Sequence, residues 1–145
     1  MITKKSDYAI RLVRALSDGE RHTAEELVRT QQVPKPFAYK ILNRLVKAGL
    51  LDVSYGKLGG YMLSVDLNQL TLLDLMQVVN DNADDNLRVN VFWDPNEVCQ
   101  CKENQVDRLC YVHHHLLKLQ EKLVQDLSRH SINDILVGAV EYSVE

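Results

Sequence analysis

The chain has 145 residues, 46% of them apolar, 26% charged and 6% aromatic, enough for one domain with a core and unlike disordered, collagen-like or disulfide-scaffold chains. No run approaches the roughly 18 consecutive apolar residues of a membrane span, and charges interrupt MITKKSDYAIRLVRAL where a signal peptide needs an apolar stretch, so a cytoplasmic protein with no membrane partner is expected. The net charge of −3 hides a division: residues 1–63 carry eleven Lys/Arg against six Asp/Glu, a surplus of +5 that leaves −8 for the rest, as expected when one part faces phosphate and the other serves another purpose.

From Asp7 to Leu16 the apolar positions Tyr8, Ala9, Leu12, Val13 and Leu16 fall at helical spacing, with Asp18-Gly19 as a stop. Thr23 followed by Glu26 reads as a capping box opening a short helix from Ala24 to about Thr30. The turn Val33-Pro34-Lys35-Pro36 tolerates its prolines only at or before a first helical turn, which predicts a third helix from near Pro36. Its apolar stripe is Phe37, Ile41, Leu42, Leu45 and Val46, and Gly49 ends it. Two β-prone runs, Leu50–Tyr55 and Tyr61–Val65, flank a glycine-bearing turn and predict a hairpin. Leu70 to Asn80 returns to helical period with Thr71 or Asn68 as cap, and Asn80–Val98, acidic and broken by Pro95, reads as a loop. From about Asp107 a long helix is expected, its positions Leu109, Val112, Leu116, Leu119 and Leu123 stepping by 3 and 4 as a dimerisation seam. A final helix should run from Ser131, its cap, to about Val140.

Three helices and a hairpin in this order predict a mainly α fold with a small β wing: a winged helix-turn-helix over residues 1–66, then a sensor loop and dimerisation helices over 67–145. The third helix offers Lys35, Pro36, Tyr39, Lys40, Asn43, Arg44 and Lys47 away from its apolar stripe, and the wing offers Tyr55, Lys57, Gly59 and Gly60, whose glycines let backbone approach a sugar-phosphate strand. The bland alternative is a solvated helix face and a tight turn. The leucine seam points to a homodimer, and two-fold symmetry then predicts double-stranded DNA with a pseudo-palindromic operator.

Cys99, Cys101 and Cys110 lie within a dozen positions, with His113 and His114 three and four residues past the last. Three thiolates and an imidazole suit a zinc ion or an iron–sulfur cluster. A thiol switch and three inert cysteines remain open on the same residues. Consecutive His113, His114 and His115 on a helix cannot all face one site.

The run Asp7-Tyr8-Ala9-Ile10-Arg11, the stretch Leu42-Asn43-Arg44-Leu45-Val46-Lys47-Ala48-Gly49-Leu50, the wing Gly56-Lys57-Leu58-Gly59-Gly60-Tyr61-Met62-Leu63 and the following Leu70-Thr71-Leu72-Leu73-Asp74-Leu75 together resemble the Rrf-two family of bacterial transcriptional regulators. The resemblance implies a dimeric winged-helix protein, and in cluster-bearing members three cysteines at the loop and the start of the long helix. It implies Cys99, Cys101, Cys110 and His113 as ligands, with Asp7, at the position supplying a carboxylate from the other subunit in the family's nitric-oxide sensor, as the alternative fourth ligand. The chain departs from the family in two places: one residue separates Cys99 from Cys101, and Tyr55 stands where the family wing carries an arginine.

The expectation is therefore a homodimeric DNA-binding regulator, a repressor, whose operator affinity is set by a redox-sensitive iron–sulfur cluster. The alternatives are the same dimer controlled by a thiol switch, zinc, a metabolite or a partner protein with no cofactor, and a winged-helix protein-interaction module without a DNA target. An enzyme is not expected, since no nucleophile elbow, phosphate loop or paired-carboxylate pattern is present.

Overall fold

The computed structural model describes residues 3–80 and 111–138. The acidic loop, Cys99, Cys101, Leu109 and Cys110 lie outside the described residues, as does the side chain of His113.

Helix α1 spans Lys4–Ala15, three residues earlier than the apolar pattern indicates, because Thr3 caps it by accepting from the Ser6 amide at 3.4 Å and Ser6 is itself buried. Helix α2, Ala24–Gln31, is capped by Thr23 as expected. Half of the expected capping box is missing, however: Thr23 Oγ1 accepts from the Glu26 amide at 3.2 Å, but the Glu26 carboxylate turns instead to His22 Nδ1 at 3.1 Å. A three-residue turn follows, with Gln32 in the left-handed region at φ 53°, Val33 buried and Pro34 as the cap of α3, Lys35–Lys47. That helix ends in a Schellman motif: the Leu50 amide donates to Leu45 O at 2.9 Å and the Gly49 amide to Val46 O at 3.0 Å, with Gly49 at φ +77°.

Strands β1 (Leu51–Ser54) and β2 (Gly60–Leu63) pair antiparallel, Leu51 opposite Leu63 and Ser54 opposite Gly60. Helix α4, Leu72–Val79, opens with Thr71, so the choice between Thr71 and Asn68 falls to Thr71 in a full capping box with Asp74. Helix α5 is described over Tyr111–Arg129, about 28 Å long at 1.5 Å per residue. Helix α6, Ile132–Leu136, stops short of Val140 because the chain turns through Val137 to Gly138 at φ +70°.

Leu12, Leu16, Leu42, Leu45, Leu75 and Ile132 are wholly shielded from solvent in one core. This core does not stop at residue 66, since Leu67, Leu70, Leu75, Val79 and Ile132 belong to it. The C-terminal half of α5 packs on α4 through Leu123, Val124 and Leu127 against Leu72, Leu73 and Met76.

The N-termini of α4 and α6 form a clamp. Thr71 and Ser131 sit opposite each other in an isolated antiparallel bridge, each hydroxyl donating to its own aspartate, Asp74 or Asp134, at 2.7 Å. Across the bridge the Ile132 amide donates to Leu70 O at 2.6 Å and the Asn133 amide to Leu67 O at 3.1 Å. Replacing Ser131, which is 9% exposed, by alanine removes one cap inside this paired arrangement. A loss of about 1 kcal/mol in urea unfolding is expected, and an unchanged midpoint would show that the backbone bonds alone hold the clamp.

Candidate nucleic-acid interface

Burial of Ala38, Ile41, Leu42 and Leu45 on one stripe of α3 turns Lys35, Pro36, Lys40, Asn43 and Lys47 outward, all exposed. The helix carries four cations and no carboxylate. Lys35 Nζ lies over the Tyr39 ring, 5.8 Å from its centroid, which keeps a positive charge at the helix start beside a half-buried aromatic. Two members of the expected set behave otherwise. Phe37, expected in the apolar stripe, is 42% exposed and tilts against Tyr8 at 5.8 Å. Arg44, expected on the outward face, is half-buried and donates from Nη1 to Val79 O, the last residue of α4, at 2.6 Å.

The wing stands beside this face. The tip Tyr55, Gly56, Lys57 and Leu58 is exposed. Gly59 and Gly60 are there for reasons of space: a Cβ on Gly59 would press into the Ser54 carbonyl, and one on Gly60 would lie 2.5 Å from His22 O. The close approach at Gly60 belongs to a bridge between the wing and the α1–α2 loop, in which the His22 amide donates to Tyr61 O at 2.9 Å and the Tyr61 amide to His22 O at 2.8 Å. Arg21 reinforces it, donating to Gly60 O at 2.8 Å and to Asp52 Oδ2 at 2.8 Å. Arg21 contributes only one more cation to the sequence count. The strand that gives it a role is non-local, and the single hint is the G-G pair, which calls for a close backbone neighbour.

Burial raises the Tyr61 phenol above its ordinary value, with smaller contributions from Tyr55 and Tyr39. Asp7 lies in the first turn of α1 and pairs with Arg11 at 2.8 Å. Along α5, Val112 is 70% and Leu119 41% exposed, while Leu116 and Leu123 are half-buried. An open groove near the start of that helix is lined by Tyr111, Val112, His114, His115, Leu116 and Lys118. Among the described residues no group of His, Cys, Asp and Glu could hold a metal, and no helix is long and apolar enough to cross a membrane.

A helix-turn-helix whose second helix shows a cationic face, followed by a glycine-built hairpin, defines a winged-helix DNA-binding regulator. The sequence profile of the Rrf2 (Rrf-two) family, described as iron-dependent transcriptional regulators, matches residues 2–138, and the chain belongs to that family. Its members are transcriptional regulators rather than enzymes. "Protein aau3" of Rhizobium meliloti (strain 1021) is 34% identical over 83 residues, a match that spans 56% of this chain and only 54% of that relative. A protein of Aquifex aeolicus (strain VF5) named as an HTH-type transcriptional regulator is 24% identical over 127 residues, 84% of this chain and 80% of its own. Among solved structures the fold is similar to T. potens IscR, with TM-score 0.69 and 16% identity over 100% of this chain and 92% of that one. It is also similar to CymR, the global cysteine regulator of B. subtilis, with TM-score 0.70 and 16% identity over 97% and 98%.

The wing bridge carries a titratable group. His22 Nε2 faces Asp18 Oδ2 at 2.8 Å and Nδ1 faces Glu26 Oε1 at 3.1 Å. The hydrogen bonds to Asp18 and then Glu26 raise the imidazole above its usual 6.5, against the opposing effect of burial. A group whose folded pKa exceeds its unfolded one stabilises fully below the unfolded value and loses that contribution as pH rises through the folded value. Thermal scans between about pH 6 and pH 9 should therefore show the wild type losing more stability than His22→Gln. Parallel curves would remove His22 from the pH dependence.

Proposed function

We propose that this chain is a homodimeric cytoplasmic repressor that reads a pseudo-palindromic operator in double-stranded DNA, with operator affinity modulated by a redox-sensitive iron–sulfur cluster. The observation that carries the DNA part is the carboxylate-free helix α3, with its outward lysines, packed against strand β1 of a wing whose tip carries Lys57 and no carboxylate. Lys35, Pro36, Tyr39, Lys40, Asn43 and Lys47 face the major groove, and Tyr55, Lys57, Gly59 and Gly60 meet the flanking backbone. Arg44 acts from behind, holding α3 to the end of α4. The dimer uses the seam Leu109, Val112, Leu116, Leu119 and Leu123, supported by the exposure of Val112 and Leu119 on a helix whose other end is already packed. Residues 1–66 then grip DNA while 67–145 sense and dimerise, with α4 shared between the two tasks because it lies in the common core.

Cys99, Cys101, Cys110 and His113 would hold the cluster; three thiolates and one imidazole fit iron–sulfur chemistry as a donor set, and the family's iron-dependent description supports it. When bound, the cluster would supply sensitivity to oxidants. Asp7 remains the alternative fourth ligand, contributed from the other subunit, although its pairing with Arg11 already occupies it. Protein purified without oxygen should be coloured and contain iron. A colourless, iron-free protein that resists reconstitution overturns the cluster, and an oxidant-induced disulfide in that protein would favour a thiol switch.

DNA binding is tested separately. Gel shifts should show retention that falls steeply with salt, and Lys57→Ala should lower the slope of log affinity against log salt by about 1. Absence of retention at low ionic strength overturns the DNA reading, and sedimentation as a single subunit overturns the dimer.

A further inference from the structure

Tyr55 and Leu58 are the two most exposed large apolar side chains among the described residues, at 89% and 93%. They occupy the end of one hairpin, on either side of Lys57, and are not scattered over the surface. The tip is a closed turn: the Gly59 amide donates to Gly56 O at 3.0 Å, Gly56 takes φ +102°, and Gly59 fits only without a side chain. Its base is tied down by His22 and Arg21. No carboxylate occurs between residues 53 and 65. A projecting, uncharged wedge beside a lysine suits a polyanion whose interior is apolar. Two side chains are too little for a protein partner, since stable interfaces bury about 800 Å² on each side, whereas a single inserted side chain is enough to unstack a base step.

Resting on the DNA-binding reading above, we propose that Leu58 is an apolar wedge that enters the minor groove and partly unstacks one base step, bending the duplex, while Lys57 meets the adjoining phosphate. Such insertion favours the easily unstacked pyrimidine–purine steps, so the wing contributes sequence preference without hydrogen-bonding to any base.

The test uses the full chain, purified without oxygen, to select duplexes from a random-sequence pool. Energy transfer between end labels then measures the bend. The wild type should bend its selected duplexes by about 20° or more and enrich TA or CA/TG at one position in each half-site. Leu58→Ala should still retain the duplexes but leave them straighter and lose that enrichment, and Leu58→Met should restore both. Retention by a wild type that leaves DNA straight, or an unchanged bend and step profile in Leu58→Ala, overturns the wedge and leaves the DNA reading standing. Failure of the wild type to retain any duplex overturns both.

Discussion

Burial of a single stripe of α3 decides what the rest of the molecule can display. Ala38, Leu42 and Leu45 are completely shielded and Ile41 nearly so, each large side chain contributing roughly 1.5–3 kcal/mol. Exposed ion pairs contribute only about 0–1 kcal/mol. The orientation of Lys35, Lys40, Asn43 and Lys47 is therefore fixed by the core rather than by charge pairing. Helix α3 packs on α1 and α4, so the direction of its outward face is set by the elements behind it.

Local rules were sufficient wherever a residue's partner lies within one turn. Thr23, Gly49, Thr71 and Ser131 end or begin helices by contacts with residues three to five positions away; three were legible outright, and Thr71 was one of two candidate caps beside Asn68. Ser6 was not, because a buried serine breaks the apolar periodicity that locates a helix start. Glu26 was half legible: its backbone follows the capping rule, but its carboxylate is taken by His22. Arg44 looks like a surface cation on a helical wheel and becomes a bond to Val79 only once α4 folds back 35 residues later. Arg21 is the same case at the wing. Ser6, Arg21 and Arg44 share a cause: each has a partner distant in sequence or a polarity that disguises its burial.

The wing is often pictured as an appendage, yet here it is built into the body. Register between β1 and β2 brings Gly60 opposite Ser54, and the bridge from His22 to Tyr61 adds a further pair of hydrogen bonds to the edge of β2. An isolated two-stranded hairpin is marginal in water. Anchoring by the α1–α2 loop offsets that weakness and ties the base of the wing to the same loop that connects the first two helices. A clash-free glycine at position 60 is the condition for the whole arrangement.

The cysteine-bearing segment leaves the described structure from the end of α4 and re-enters it at α5. The entry point at α5 is packed on α4 only toward its far end. The exit point is different: the final carbonyl of α4, on Val79, receives the Arg44 guanidinium from the last turn of α3. Hydrogen bonds to charged donors are stronger than neutral ones, at about 1.5–3 kcal/mol, and Val79 is itself buried in the core. Any rearrangement beginning beyond Asn80 that shifts the last turn of α4 must stretch that bond or carry α3 with it. The other end of α4 is tied to α6 through the Thr71–Ser131 clamp. Among the described residues the C-terminal end of α4 is thus the end tied by a side chain of α3, and a displacement there is coupled to α3 through that hydrogen bond.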